Sequence, residues 1–475
     1  VRETGRVPDA WLSATLPVLD LAMMSVEAVR RAAVRAGATG RVVDAPLDLE
    51  RVAATFGSER LFRDGAARAS AFAPLSGFYR AADGYLRTHA NYPHHRDRLL
   101  GLLGLVDADR EAAAKAIAGR SAAELEEEAA RVGAIAVRVR GEAEWRSSAP
   151  GQAAATGPLV RVTERDDVWG EGPRESGGTR RGGGVRREVT DGRCAASVGG
   201  AFGGGASSSP QAVAGASPDA RGSGAAGADG GTRPLAGVRV LDLTRVLAGP
   251  VAGRTLALLG ADVLRLDPKQ PAEIGWQHLD TGQGKRTALL DLRTDLPRAQ
   301  TLLAQADVLL TGYRPGAIEA FEARGLRIPA GIVRARINAW GDAGPWAGRR
   351  GFDSIVQAAS GIALIESADD ETPGALPAQA LDHATGYLLA AGIIDALTAR
   401  AADGHGRDVL APLARTATWL LDAPGRDPHH LPAAQPSANA AVTHGDRTTA
   451  RPAIPGFDDY PHPAHPWGSD EPSFS

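Results

Sequence analysis

Val238-Arg-Val-Leu-Asp-Leu-Thr-Arg-Val-Leu-Ala-Gly-Pro250, continued through Val251-Ala-Gly-Arg-Thr-Leu-Ala-Leu-Leu-Gly260 to Ala261-Asp-Val-Leu-Arg-Leu-Asp267, decides the fold. Val238 to Leu243 is an apolar run of strand length, Ala248 to Leu259 a helical stretch closed by Gly260, and Asp262 to Asp267 a second strand. The alternation goes on: Thr287 to Leu292, Asp307 to Thr311 and Ile332 to Ala339 read as three more strands with helical segments between them. Parallel neighbours need crossover helices, so this pattern predicts an α/β domain built on a doubly wound parallel sheet. Ligands of such a sheet bind at the carboxyl ends of its strands.

Upstream, residues 10–145 read as a smaller α+β domain placed N-terminally. Phe78 to Tyr92 resembles a hairpin turning at Asp83-Gly84, and a helix is expected over 95–103. Ser121-Ala-Ala-Glu124 is a capping box opening a helix with Leu125, Ala129 and Val132 on one face and Gly133 at its end. Ile135, Val137 and Val139 then alternate as a short strand does. From 146 to 232 glycine, serine, alanine and proline dominate, too little apolar matter to offset ordering entropy, so this segment reads as a flexible linker. It contains Cys194, read as an exposed thiol without a role, and no strand followed by G-x-x-x-x-G-K-[ST]. The large domain spans 233–424, and 425–475 is a proline- and histidine-rich tail expected to be irregular.

The chain has 475 residues, 43% hydrophobic and 23% charged, with a net charge of −3. That balance gives no reason to expect nucleic acid or an anionic membrane as partner. A single cysteine excludes an internal disulfide framework and a multi-cysteine metal site. No apolar run reaches the roughly 18 residues of a membrane helix, and the first residues do not form a signal peptide, so a cytoplasmic setting is expected. His94-His95, His429-His430 and the His462/His465 pair lack accompanying acids at ligand spacing, and no metal is expected.

Leu381-Asp-His-Ala-Thr-Gly-Tyr387 sets a carboxylate, Asp382, at the start of a long apolar helix. An acid there is commonly an N-cap; near the positive helix end it also stays ionised and can attack an electrophile such as a thioester. The residues alone leave both readings open. After the first strand, Gly249-Pro-Val-Ala-Gly253 is not G-x-G-x-x-G, so a dinucleotide site is not provided for, and the glycines read as tight helix-to-strand packing.

Six elements in order, L-A-G-V-R-V-L-D-L-T-R-V-L-A-G-P, L-G-A-D-V-L-R-L-D, G-K-R-T-A-L-L-D-L, A-D-V-L-L-T-G-Y-R-P-G-A, G-F-D-S-I-V-Q-A-A-S-G and L-D-H-A-T-G-Y, together resemble the family III CoA-transferases. The resemblance runs from about 233 to 410 and implies a Rossmann-like large domain, a homodimer, and coenzyme A as a co-substrate rather than a bound cofactor. It implies an acyl-CoA and a carboxylic acid as substrates, with Asp382 as the nucleophile that carries CoA as an aspartyl thioester. By position, Arg245, Val246, Leu247 and Ala248 would lie along the CoA, Lys269 near its adenine end, Lys285 and Arg286 at the phosphates, and Gly312, Tyr313 and Arg314 on the next loop. Racemases of the family carry a histidine where this chain has Phe352, which disfavours epimerisation; His383 reads as a bystander. An acyl-CoA racemase or a non-catalytic CoA-binding paralogue remain alternatives. The stretches Asp83 to Gly104 and Ala122 to Trp145 resemble the family's small domain, which would make the order of parts permuted and puts the interlocked family dimer in question. If the first region caps the cleft, His89, Tyr92 and His94 would face it.

Overall fold

The computed structural model describes residues 10–70, 72–169, 233–369 and 371–475. Its centre is a seven-stranded sheet in the spatial order 161–168, 405–412, 333–338, 308–311, 239–243, 262–267, 286–289. Six strands run parallel, and Arg161–Val168 pairs antiparallel with His405–Pro412 at one edge. Numbering the parallel strands along the chain gives 6-5-4-1-2-3, the doubly wound order, in which the winding reverses between Arg239–Leu243 and Val308–Thr311. The five strands expected from sequence are present, each within a few residues of its expected bounds.

Two helices clasp a third beneath this sheet. Ala380–Asp403 is buried along most of its length, as its nearly all-round apolar sequence requires. On one side it meets Ala248–Leu258, where the carbonyl oxygen of Ala248 lies 2.5 Å from the point a Cβ on Gly386 would occupy. On the other it meets Val18–Arg35, whose Leu21, Ala22, Val26, Val29, Ala32 and Ala33 form a stripe with no exposed surface. Fully burying a side chain such as Leu21 or Val26 is worth about 1.5–3 kcal/mol, so this N-terminal helix is part of the large domain's core rather than of a separate unit.

That placement revises the boundaries read from sequence. The compact small unit is the three-stranded antiparallel sheet Gly77–Ala81, Gly84–Thr88, Ala136–Arg138 with the helices between its second and third strands. The hairpin exists, and its two-residue turn is Ala82-Asp83, one position before the expected dipeptide. The helix expected at 95–103 begins at Pro93, a helix Arg110–Ala118 follows it, and Ser121 caps Ala122–Val132 by accepting from the Glu124 N–H. Residues 146–169, assigned to the linker, instead include the helix Ala149–Ala155 and the edge strand Arg161–Val168; the remainder of that segment, with Cys194, lies outside the described residues. The tail is not wholly irregular, because Ala441–His444 and Arg447–Ala450 form a hairpin that pairs with Arg63–Asp64. Beyond it, Ser469 bridges to Ala288 and Trp467 Nε1 donates to Asp267 at 3.0 Å, so the end of the chain covers the sheet's other edge. Among the described residues no helix is long and apolar enough to cross a membrane.

Candidate active site

A cleft of about 280 Å³ opens where the winding reverses. Its floor is Leu243, Arg245 and Val246 after the first strand, Gly312, Tyr313 and Arg314 after the fourth, and Asn338 and Ala339 at the fifth. Arg350 and Phe352 close one wall, and Tyr92, His94 and His95 of the small unit roof it. This is where the topology alone puts a ligand.

The loop after the first strand is held under strain. Val246 has φ +69°, a region costly for a β-branched residue, and its N–H points 3.3 Å from Glu273 Oε2. Glu273 also receives the Tyr92 hydroxyl at 2.5 Å and pairs with Arg265 at 2.5 Å, while Arg245 reaches Asp267 at 3.3 Å and the Pro271 carbonyl at 2.8 Å. Burial alone would raise the Glu273 carboxyl, but Arg265 and Arg245 beside it bring it down to about 2. This ion network fixes Arg245 and, through Tyr92, ties the small unit to the sheet.

Arginines without acid partners gather at the cleft mouth. Arg98 of the small unit and Arg350 both donate through Nη1 to the Gly133 carbonyl, at 3.2 and 2.5 Å. Neither they nor Arg314 has a carboxylate within ion-pair distance among the described residues, whereas Arg349 pairs with Glu127 at 2.6 Å. Burial, with Arg314 and Arg98 nearby, lowers Arg350 to about 10. Converging guanidinium groups of this kind suit phosphate or carboxylate oxygens.

Asp382 does not line the cleft; its backbone N–H is held by Asp353, the neighbour of the cleft residue Phe352. It is the third residue of the 380–403 helix, not its N-cap, and is 5% exposed. The cap is supplied from a distance: Asp353, next to the cleft residue Phe352, accepts the N–H groups of Leu381 and Asp382 at 2.9 and 3.1 Å. The Gln357 side-chain amide donates to Asp353 in turn and its carbonyl accepts the Leu376 N–H at 3.0 Å, so helix 353–360 holds the start of the long helix rigidly. The helix end was expected to keep Asp382 ionised. Instead burial, then Asp353, then Glu59 push its carboxyl well above the usual range.

The histidines are set aside by their surroundings. His89 stacks on Phe352 with ring centroids 4.0 Å apart, and burial with Arg87 lowers it to about 3. His95 is lowered to about 2 by burial and His94. His383 lies against Phe56 at 5.2 Å, fully buried and lowered to about 3 by burial and Arg254, which makes it a neutral core residue.

Of the positions carried over for CoA, the structure gathers Arg245, Val246, Gly312, Tyr313 and Arg314 in one cleft. It does not bring the others there. Leu247 and Ala248 are buried in the core. Lys269 is exposed on the loop after the second strand. Lys285 is fully buried on Asp242 at 3.2 Å, below Gly253, whose missing side chain leaves room for the pair. Arg286 opens its strand at the amino end of the sheet and pairs with Asp262 at 2.7 Å, on the side opposite the cleft. Asp353, Glu59, Arg98 and Arg350 were not singled out from sequence. Only Asp353 left a signal, an acid followed four residues later by Gln357 on a helix that begins the G-F-D-S element.

Residues 235–448 match the family model described as CoA-transferase family III. Among curated proteins, an acetyl-coenzyme A transferase of Hypoxylon pulicicidum is 32% identical over 42% of this chain and 35% of its own length. A probable fatty acyl-CoA transferase of Mycobacterium tuberculosis is 34% identical over 36% and 48%, and a formyl-CoA:oxalate CoA-transferase of Streptomyces avermitilis is 31% identical over 42% and 53%. The chain thus spans about half or less of the length of these relatives. A crystal structure of a hypothetical protein from Mycobacterium tuberculosis shares 30% identity over 40% of this chain and 56% of its own, with a TM-score of 0.36, too low to compare folds. The matched residues, 235–448, carry the first strand, the cleft loops and Asp382, and over this stretch the chain is similar to CoA-transferase family III.

Proposed function

We propose that the protein transfers CoA from an acyl-CoA to a carboxylic acid through Asp382. What supports this reading is an arginine-rimmed cleft at the point where the sheet's winding reverses, together with a buried carboxyl, Asp382, whose backbone is held by Asp353, the sequence neighbour of the cleft residue Phe352. In the reaction, the Asp382 carboxylate attacks the thioester carbonyl, the C–S bond breaks, and a mixed anhydride and CoA thiolate form. The thiolate then attacks the aspartyl carbonyl and releases the first acid, leaving an aspartyl thioester. A second acid runs the two steps in reverse and regenerates Asp382. Each thioester is nearly equal in energy to the next, so no nucleotide hydrolysis is required.

An isomerase would need a second base facing Asp382. Phe352 cannot exchange a proton, and His383 is sealed in the core. A homodimer and a cytoplasmic setting belong to the same reading on the strength of the family resemblance.

The test is mass spectrometry of the whole protein after incubation with a panel of acyl-CoAs, with and without added carboxylic acids. A CoA or acyl adduct located on Asp382 and discharged by an acid is expected. CoA binding without any adduct would sink the transfer reading in favour of a binding protein, and deuterium entering the substrate α-carbon without an acceptor would favour an isomerase.

The arginine rim makes its own prediction. Replacing Arg98 and Arg350 together by alanine is expected to weaken CoA binding about tenfold or more at low ionic strength, and the loss should shrink as salt screens the wild-type contacts. Isothermal titration at two salt concentrations reads both effects; equal affinity for wild type and variant would place the CoA phosphates elsewhere.

A further inference from the structure

Among the described residues three that are not glycine have positive φ, Leu12, Asp107 and Val246, and of these only Val246 is β-branched and lines the cleft. A β-branched residue in that region is strained, and it persists where the surroundings hold it there. The group that meets its backbone is a single carboxylate. Glu273 Oε2 stands 3.3 Å from the Val246 N–H and receives the Arg265 guanidinium at 2.5 Å. Glu273 Oε1 accepts the Ile274 N–H at 2.9 Å and the Tyr92 hydroxyl at 2.5 Å.

Of these four partners, Ile274 is the neighbour of Glu273 in sequence, and Arg265 and Val246 belong to the parallel sheet and its first loop. Tyr92 alone comes from the small unit, where it directly precedes the Pro93–Leu103 helix. It is 5% exposed, lines the roof of the cleft, and has the guanidinium carbon of Arg245 5.4 Å from its ring centroid. One carboxylate therefore meets the floor of the cleft through Val246 and its roof through Tyr92. The small unit has other ties to the large one: Arg349 pairs with Glu127 at 2.6 Å, and the Arg140 N–H donates to the Ala358 carbonyl at 3.1 Å. Docking of the roof does not hang on the Tyr92 hydroxyl alone; what the hydroxyl adds is the orientation of Glu273.

We infer that Tyr92 is a positioning residue for the cleft floor: its hydroxyl holds Glu273 Oε1, which keeps Oε2 turned to the Val246 N–H and the strained turn in the arrangement that receives the acyl-CoA. The inference rests on the reading of this cleft as the acyl-CoA site. With the hydroxyl gone and the ring kept, Glu273 is free to turn and Val246 to relax toward negative φ. The fraction of molecules whose floor is in place then falls, and the affinity falls with it. A hydrogen bond to a charged group is among the stronger ones, which sets the expected loss at about tenfold. Glycine adopts positive φ about as readily as negative, so with glycine at 246 the floor no longer depends on Glu273 to hold it.

Four full-length proteins test it: wild type, Tyr92→Phe, Val246→Gly and the double variant. Each is titrated with coenzyme A by calorimetry, and hydrogen exchange of the peptide covering residues 243–250 is followed alongside. Tyr92→Phe is expected to weaken CoA binding about tenfold in the wild-type background but about twofold or less in the Val246→Gly background, and to speed exchange across that peptide. An equal loss in both backgrounds, as a general loosening of the roof would give, overturns the inference, and so does an unchanged affinity in Tyr92→Phe. Should Tyr92→Phe fail to fold, the double variant answers the same question: folding and CoA binding restored by Val246→Gly support the inference, and a double variant as unfolded as the single one overturns it. Wild type that takes up no CoA would overturn the reading of the cleft and this inference with it, whereas equal losses measured against a wild type that binds remove only the role of Tyr92.

Discussion

Asp382→Asn is expected to abolish CoA transfer, by about 10⁴-fold or more in turnover, and to remove the covalent adduct entirely, while CoA still binds. Asparagine keeps the shape of the side chain and leaves the Asp353 cap in place, since that cap is received by backbone N–H groups. What is lost is the carboxylate oxygen that forms the anhydride. On the proposed reading binding survives, because the cleft arginines rather than Asp382 would take the ligand phosphates. Stability should change in the opposite sense to activity. Asp382 and Glu59 both have carboxyl pKa values raised in the folded protein, chiefly by burial. A group whose pKa is raised on folding contributes stability that is fully present at acid pH, below its unfolded value, and is lost as pH rises through the folded value. For Glu59 that loss centres on about pH 7. An amide at 382 cannot ionise and removes one of the like charges, so the variant should unfold at the same temperature as wild type or higher above neutral pH. Thermal midpoints from pH 5 to 9, set beside adduct yields, check both halves. A variant that loses activity and stability together at every pH would mean that Asp382 is structural.

The sheet was legible because each strand is a short apolar run bounded by a turn, and because parallel strands leave little choice of topology. The edge strand Arg161–Val168 was not, since R-V-T-E-R-D-D-V is half exposed and carries charge on both faces. Of the site, the loops after the first and fourth strands were found where a doubly wound sheet requires them. Lys285 and Arg286 were misplaced for a reason strand direction explains: residues that enter a parallel strand stand at its amino end, away from the ligand. Lys285 turns inward to Asp242, and burial takes it down to about 8. Leu247 and Ala248 follow the strand on the correct side, but apolar residues opening a buried helix go to the core. Glu59 and Arg98 could not be found at all, because what makes them interesting is the company they keep in space, and no periodicity or spacing links them to Asp382 or Arg350. For Asp382 the expectation of an ionised carboxylate is what differs: the helix end favours charge, but burial and two neighbouring acids outweigh it.

Gly386→Val is expected to damage the fold severely. A Cβ at 386 would lie 2.5 Å from the Ala248 carbonyl oxygen and 2.9 Å from Val251 Cβ, and the first of these is backbone that cannot rotate away. The 248–258 and 380–403 helices would have to separate. Overpacking of this kind costs about 1–3 kcal/mol and often more where backbone must move. Against it stands the helix propensity that glycine lacks, worth about 1 kcal/mol for alanine and less for valine. Sterics therefore win for Gly386→Ala by a modest margin and for Gly386→Val by a large one. Separation of the helices also reaches the site, because Ala248 directly follows the strained Arg245–Leu247 turn that lines the cleft. Gly101 provides the control. It lies inside the Pro93–Leu103 helix with nothing within 4 Å of its missing Cβ, so Gly101→Ala should leave the thermal midpoint unchanged or raise it by the same propensity term. Expression yield, thermal midpoint and CoA affinity should fall together in the order wild type, Gly386→Ala, Gly386→Val. A Gly386→Val protein as stable as wild type would show that these two helices do not pack backbone to backbone, and the position of the loop that shapes the cleft would have to be drawn again.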